Sequence, residues 1–286
     1  MSDLGPFGEV IQDAIKAKER ADVENGRKYE VRNGIKYCLQ CGKPLEVMIE
    51  HPLLGKRAYP IICDCDLKAE QEIRDRLAAE ENDRRRKSCF GSFAYGLMDA
   101  RFAADNNERP DVSRKCKNYC KNFEEILRYS QGMIFYGGVG TGKSFMAACI
   151  ANELIDRGYS AYMTTMSAIE RQTSAYMREE RAEFIESIGR YDLLIIDDLG
   201  SERQTEYMEE LTFEIVNRRY CAMRPMIITT NIDIERIKNP PTDYEKRLFD
   251  RVLEACSYPI KFEGKSQRRS NVAKRYRAAE EFINEP

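Results

Sequence analysis

The stretch FYGGVGTGKSFMAACIANEL, residues 135–154, joins a short apolar run to an amphipathic one through a glycine-rich turn. Gly137, four further residues, Gly142, Lys143 and Ser144 match the phosphate-loop pattern GxxxxGK[ST]. Glycines leave backbone N–H groups free to surround an anion, and a helix that begins there directs its positive end at the phosphates. The stretch therefore predicts a nucleotide-binding loop between a strand and a helix.

The residue types of this loop suit ATP and magnesium. We expect Lys143 to reach the outer phosphates and the Ser144 hydroxyl to bind Mg²⁺. The residues expected to surround the phosphates are Gly137, Gly138, Val139, Gly140, Thr141 and Gly142. The alternative is a structural glycine turn that matches the pattern by chance.

Two further segments place polar side chains after apolar runs. LLIIDDLG, residues 193–200, has the continuous apolar core of a buried parallel strand. Asp197 and Asp198 follow it, at the strand end where α/β proteins bind ligands. Asp197 is expected to hold Mg²⁺ directly or through water, and Asp198 to orient the attacking water. Asn231, at the end of PMIITTN, could contact the γ-phosphate or position water. Solvated turn residues are the alternative.

From about residue 90 the sequence alternates between strand and helix patterns. Predicted strands are MIFYG (133–137), SAYMTT (160–165), YDLLIIDDLG (191–200), PMIITTN (225–231) and YPIKFEG (258–264). This alternation predicts a doubly wound α/β domain over residues 91–286, with a parallel sheet flanked by helices.

Two cysteine pairs near the start predict a metal centre. Cys38 and Cys41 are separated by two residues, and Cys63 and Cys65 by one. Zinc takes four thiolate or imidazole ligands, so two close pairs can complete a tetrahedral site. His51 could replace one cysteine, and reduced thiols in a small core are the alternative. We expect a zinc-binding domain over residues 1–66.

A strongly charged stretch, residues 66–87, follows the cysteines and predicts a helix. Four Glu–Arg pairs are spaced i, i+4 with the acid first, which is the favoured order. They are Glu70–Arg74, Glu72–Arg76, Glu80–Arg84 and Glu81–Arg85. We interpret residues 67–90 as a helical linker between two domains.

The order of the motifs resembles one family. GGVGTGKS, LLIIDDLG, ITTN, KRLFDR and GKSQRR, together with NFEEIL and EIVNRRY, are similar to the DnaC/DnaI helicase-loader and IstB-like branch of the AAA+ P-loop NTPases. The resemblance covers about residues 95–275. It implies a Walker A motif at residues 137–144, a Walker B motif at Asp197 and Asp198, and sensor 1 at Asn231.

The resemblance also implies roles for arginines. Arg251 in KRLFDR matches the arginine finger, with Arg247 as the alternative. Arg268 matches the arginine of the S-Y-R motif, but Gln267 replaces the tyrosine and Arg269 is an alternative. Surface ion pairs are the other interpretation. Many AAA+ proteins carry Glu where this chain has Asp198, and the shorter arm predicts slow hydrolysis that suits a switch.

The function implied by the resemblance is ATP-dependent loading of a replicative DnaB-type hexameric helicase onto single-stranded DNA. ATP would assemble a homo-oligomer in which Arg251 completes a neighbour's site, and the zinc module would dock the helicase. Arg218, Arg219 and Tyr220 are candidates to grip single strands, with packing at a helix end as the alternative. An IstB-like transposition helper that binds duplex DNA and a transposase is the second hypothesis. A nucleotide-binding regulator or small kinase is the third.

Composition sets limits on these hypotheses. Hydrophobic residues make up 42% and charged residues 33% of the 286 residues, which is typical of globular proteins. No apolar run approaches the ~18–20 residues of a membrane span, and the first residues do not resemble a secretory signal. We therefore expect a cytoplasmic protein without a membrane partner. The net charge of −2 does not by itself indicate nucleic-acid binding.

Overall fold

The computed structural model describes residues 29–51, 55–91, 95–102, 109–203, 205–264 and 266. Two compact units, Met1–Glu80 and Glu81–Pro286, divide the chain. Arg268 and Arg269, the candidates for the second sensor, lie outside the described residues, and so does the side chain of His51. Among the helices in the described ranges, none is both long and apolar enough to cross a membrane.

The smaller unit contains two antiparallel hairpins. Strands β1 (Tyr29–Arg32) and β2 (Ile35–Cys38) pair with each other, and so do β3 (Glu46–His51) and β4 (Gly55–Pro60). Asn33 and Gly34 both have positive φ, as a two-residue turn of this kind requires. The small core between the hairpins consists of Cys38, Leu45 and Cys63, with Cys41 and Cys65 packed against it.

Helix α1 (Asp64–Phe90) confirms the charged helix that the sequence predicts. Of the expected pairs, Glu81 and Arg85 form an ion pair at 2.9 Å. Arg76 instead pairs with Glu80 at 2.9 Å, in the reverse order. The last turn differs from the rest of the helix, because Cys89 and Phe90 are buried in the core of the larger unit.

The larger unit is built on a five-stranded parallel sheet. Its strands are β5 (Met133–Gly137), β6 (Ala161–Thr164), β7 (Leu193–Ile196), β8 (Met226–Thr230) and β9 (Tyr258–Phe262), in the order β6-β7-β8-β5-β9. All four neighbouring pairs are parallel. The five predicted strands and the α/β fold are thus confirmed. Parallel pairing brings the carboxyl ends of the strands, and the predicted site residues that follow them, to one edge.

Helices cover both faces of this sheet. They are α2 (Pro110–Lys121), α3 (Phe123–Arg128), α4 (Lys143–Asp156), α5 (Met166–Thr173), α6 (Arg178–Arg190), α7 (Glu206–Cys221), α8 (Ile234–Lys238) and α9 (Asp243–Ala255). Alternate strand residues point to opposite faces: Phe135 packs in the core formed with α2 and α4, whereas Ile134 packs with α5, α6, α7 and α9. Burial on both faces explains why the strands are continuously apolar.

Candidate functional site

The phosphate loop connects β5 to α4 and has a fixed shape. Gly137 has φ +133°, and a Cβ there would lie 2.3 Å from the backbone oxygen of Phe262. Gly140 has φ +75°, and a Cβ there would lie 2.2 Å from the Ser266 hydroxyl. The Phe262 backbone leaves no room for a Cβ at Gly137, and the positive φ disfavours a side chain at both positions. The loop is shaped by β9 and by the chain just after it.

Lys143 is buried at the base of this loop. Its ammonium group donates hydrogen bonds to the backbone oxygens of Gly137 (2.8 Å) and Gly138 (2.9 Å) and to Asn231 Oδ1 (2.8 Å). The Thr141 hydroxyl donates to the same Gly138 oxygen at 2.8 Å. Lys143, which is predicted to reach the outer phosphates, thus lies within the loop and contacts Asn231, a second predicted site residue.

Asp197 lies at the carboxyl end of β7 and is buried. Its Oδ1 accepts a hydrogen bond from the Thr229 hydroxyl at 2.6 Å. Burial raises the pKa of this carboxyl, and hydrogen bonds from Thr229 and Ser144 oppose that shift by favouring the ionised form. The two residues predicted to hold Mg²⁺, Ser144 and Asp197, therefore lie side by side.

Asp198 and Asn231 meet at the same edge. Asp198 has left-handed backbone, with φ +57°, and its N–H donates to Thr229 Oγ1 at 2.9 Å. Its carboxylate accepts a hydrogen bond from Asn231 Nδ2 at 2.7 Å. Thr229 thus contacts both aspartates, a role that the sequence analysis missed. The available signal was a hydroxyl in an otherwise apolar strand next to the site.

These residues line one open cleft of about 610 Å³. Its walls include the loop residues Val139, Gly140, Thr141 and Gly142, the helix residues Lys143, Ser144 and Phe145, and Leu97, Asp197, Asp198, Thr229 and Asn231. The volume lies in the range of pockets that hold small-molecule ligands. Three segments that are far apart in sequence, together with Leu97, therefore form a single cleft with a cation, two carboxylates, hydroxyls and an amide.

Arg251 lies on α9 and contacts α7 of its own chain. Its Nε donates to Asn217 Oδ1 at 2.7 Å, and its guanidinium lies 4.9 Å from the centre of the Phe213 ring. Arg247 lies 5.7 Å from the same ring. Neither arginine is among the residues that line the cleft. A role in the ATP site of a neighbouring subunit stays a prediction for both.

Arg219 has a structural role. This favours the interpretation that it packs at a helix end over the one in which it contacts DNA. Its side chain is 0% exposed, and its guanidinium donates hydrogen bonds to backbone oxygens of Pro225 (2.7 Å), Asp192 (2.9 Å) and Gly189 (3.1 Å). It therefore ties the end of α7 to the segments before β7 and β8. Arg218 forms an ion pair with Glu186.

The four predicted cysteine ligands lie together in the smaller unit. The sulfurs of Cys38, Cys41, Cys63 and Cys65 are all within 4.8 Å of one another. A backbone hydrogen bond from Cys41 lowers the pKa of the Cys38 thiol to about 6, although burial opposes the shift. Burial raises the pKa of Cys65 to about 12. Such a donor set fits a tetrahedral zinc ion, whose charge would favour the thiolate form of all four.

Together the sheet order, the phosphate loop, the paired aspartates and the asparagine define a P-loop ATPase of the AAA+ class. Comparison with known families places the chain more narrowly. The family model described as IstB-like ATP binding protein matches residues 111–275, and the chain belongs to this family. The match includes the whole cleft except Leu97.

Curated relatives carry the name replicative helicase loader. The chain is 28% identical to DnaC of Escherichia coli over 165 residues, which are 57% of this chain and 65% of that protein. It is 25% identical to DnaI of Bacillus subtilis, over 53% of this chain and 51% of that protein. The chain therefore spans less than two thirds of either relative. A crystal structure of the DnaC helicase loader shares the fold, with a TM-score of 0.50 and 22% identity over 59% of this chain and 99% of that chain.

Proposed function

We propose that this ATPase loads a replicative DnaB-type hexameric helicase onto single-stranded DNA. The observation that carries the proposal is the similarity to proteins named replicative helicase loaders in both E. coli and B. subtilis. An IstB-like transposition helper remains the alternative. Loading a replicative helicase would place the protein in the cytoplasm, with the chromosome.

ATP binding is proposed to reorganise the contacts around Lys143. In this structure, the Asn231 amide accepts a hydrogen bond from the Lys143 ammonium group and donates one to the Asp198 carboxylate. A γ-phosphate is a stronger acceptor for Lys143 than a neutral amide oxygen, so binding would free Asn231 Oδ1. The amide could then hold Asp198 and the attacking water in one geometry.

Ser144 and Asp197 are proposed to hold Mg²⁺, which would neutralise phosphate charge when bound. Asp198 would orient the attacking water, and its short side chain would make hydrolysis slow. Slow turnover suits a switch, because the ATP-bound assembly then persists long enough to place a partner. Arg251 is proposed to act on the ATP of a neighbouring subunit, which makes hydrolysis depend on assembly.

The smaller unit is proposed to bind zinc through its four cysteines and to dock the helicase. Its hairpins carry exposed apolar side chains, including Val31, Met48 and Ile49. Exposed apolar side chains in a small, metal-stabilised unit provide contact area for a protein partner. The proposal also includes Mg²⁺ and zinc as cofactors, single-stranded DNA as a ligand and an ATP-dependent homo-oligomer as the assembly.

The deciding experiment compares two partners in a binding and loading assay. The full chain should co-purify with a replicative hexameric helicase and transfer it to single-stranded circular DNA when ATP is present. Lys143→Ala should still bind the helicase but fail to load it, because it removes the phosphate-facing cation and little of the core. Binding to a transposase and duplex DNA, without binding to the helicase, would reject the loader in favour of the transposition helper.

A further inference from the structure

Leu97 reaches the nucleotide cleft from a part of the chain that the phosphate-binding motifs do not include. It ends a short 3-10 turn, Tyr95–Leu97, before helix α2. The other residues that line the cleft lie at the carboxyl ends of β5, β7 and β8, in the phosphate loop or at the start of α4. All of these are within the matched residues 111–275, whereas Leu97 is not. Contacts other than the shared motifs therefore have to hold Leu97 at the cleft.

A buried amide on α4 provides such a contact. Asn152 is 0% exposed, and its Nδ2 donates hydrogen bonds to the backbone oxygens of Leu97 (3.2 Å) and Ala100 (3.0 Å). It lies about two turns beyond the cleft residue Phe145 and on the same side of the helix. Since α4 begins at the phosphate loop, the Asn152 amide joins the Leu97 segment to the helix that presents the loop.

Pairing of backbone groups does not explain why an amide occupies this position. The Leu97 oxygen also accepts from the Ala100 N–H at 3.0 Å, and the Ala100 oxygen also accepts from Arg101 Nη1 at 2.9 Å. Both oxygens would thus keep a donor if residue 152 were apolar. Asn152 Oδ1, in contrast, is buried and accepts no hydrogen bond from the part of the chain that the structure describes. A buried acceptor without a donor is costly, so stability alone favours an apolar side chain here.

ATP consists of a triphosphate and a nucleoside, and these two parts need different walls. The loop N–H groups, Lys143 and the start of α4 suit the triphosphate. Leu97, Val139 and Phe145 also line the cleft but have no side-chain group that binds phosphate. Val139 and Phe145 are 64% and 46% exposed, and the face of a base binds well to apolar side chains of this kind. The apolar part of the cleft therefore fits the nucleoside.

We infer that Asn152 is a positioning residue for the nucleoside of ATP. Its amide keeps Leu97 at a fixed distance from the helix of the phosphate loop, so that the apolar wall is in place before the nucleotide binds. A wall that is already ordered lowers the cost of binding. The inference rests on ATP binding in the cleft and does not depend on the loading of a helicase.

Asn152→Leu tests the inference, because leucine has nearly the same shape and removes both the tie and the unpaired oxygen. The probes are a non-hydrolysable ATP analogue and inorganic tripolyphosphate, which lacks the nucleoside, each titrated calorimetrically with Mg²⁺ into the full chain. We expect affinity for the analogue to fall about tenfold, the typical effect of a small loss of apolar contact in a pocket. Affinity for tripolyphosphate should not change, and the thermal unfolding temperature should stay equal or rise.

Steady-state kinetics provides a second measurement that does not use tripolyphosphate. In Asn152→Leu the KM for ATP should rise about tenfold with kcat unchanged, since the lost contact is the same in the ground state and the transition state. Leu97→Ala should have the same effect. The double variant should bind the analogue no more weakly than Leu97→Ala alone, because the two residues act through one contact.

Thr173→Val is the matched control, since it removes a buried hydroxyl from α5, outside the cleft. It should bind both probes as the unaltered chain does. Asn152→Ala replaces Asn152→Leu if the latter fails to fold. Unchanged affinity for the analogue, or an equal loss for both probes, would overturn the inference and leave the ATP site intact. If the unaltered chain bound no ATP analogue, the ATP site itself would be rejected, and the inference with it.

Discussion

Asn231 donates a hydrogen bond to the carboxylate of Asp198 across 2.7 Å. The oxygen of the same amide accepts from Lys143 at 2.8 Å. One side chain therefore connects the phosphate-loop lysine to the acid that is proposed to orient water. An amide suits this position because it offers a donor to the carboxylate and an acceptor to the cation.

Asn231→Ala should lower the rate of ATP hydrolysis by on the order of 100-fold, the typical effect of removing one positioned polar group from a catalytic site. ATP affinity should change little, since the phosphate loop and Lys143 remain. Steady-state kinetics and nucleotide titration measure the two quantities separately. Asn118→Ala, at an exposed position of α2, should behave as the unaltered chain. A normal rate in Asn231→Ala would remove the amide from the mechanism.

Asp198→Asn should keep ATP binding and suppress turnover by about 100-fold or more. The fold should be retained, because asparagine tolerates left-handed backbone as well as aspartate does and can still engage Asn231. Single-turnover kinetics with a thermal-unfolding control test this expectation. Turnover at the unaltered rate would mean that another group orients the water.

Replacing Cys38 and Cys41 by serine should abolish zinc binding. Metal analysis of protein purified without added zinc should find about one ion per chain in the unaltered protein, as four-ligand coordination requires. The double variant should lose the ion and the order of the smaller unit, yet retain ATP binding in the larger unit. Cys221→Ser, at an exposed thiol outside the cluster, is the control. Unaltered protein that is free of metal but has an ordered smaller unit would contradict the zinc assignment.

Arg251→Ala should bind ATP normally but lose the rise of ATPase rate with protein concentration, because a finger acts only on a neighbour's nucleotide. Arg247→Ala is the matched comparison, since both guanidinium groups lie over the Phe213 ring. The rate measured over a range of protein concentrations decides between them. Loss of this dependence in Arg247→Ala alone would transfer the finger to Arg247.

Arg219→Lys should reduce the free energy of unfolding by on the order of 3 kcal/mol, because an ammonium group cannot reach all the carbonyl oxygens that the guanidinium serves, and buried carbonyls are left unpaired. Burial already lowers the pKa of Arg219 to about 9, and a buried lysine loses its charge more readily. Chemical denaturation measures the difference. Arg218→Lys, which keeps the exposed ion pair with Glu186, should have almost no effect.

The sequence predicted the strands, and which residues meet in the cleft, because both depend on local signals. Five apolar runs gave the five strands, and the loop pattern with LLIIDDLG gave the cleft. Contacts between distant segments carried no such signal. The Thr229 hydroxyl forms hydrogen bonds with both aspartates only because β7 and β8 are neighbours. Arg219 is buried only because three segments converge on it. Ion pairs on α1 were also unpredictable in detail, since exposed charges exchange partners at little cost.

The left-handed turn at Asp198 has an evolutionary consequence. Aspartate adopts this backbone region more readily than longer acids, because its short side chain can hydrogen-bond locally. The identity of the acid is therefore tied to the shape of the turn. A mutation to glutamate would strain this turn as well as lengthen the acid, so selection could not make that change without also remodelling the backbone that presents the side chain.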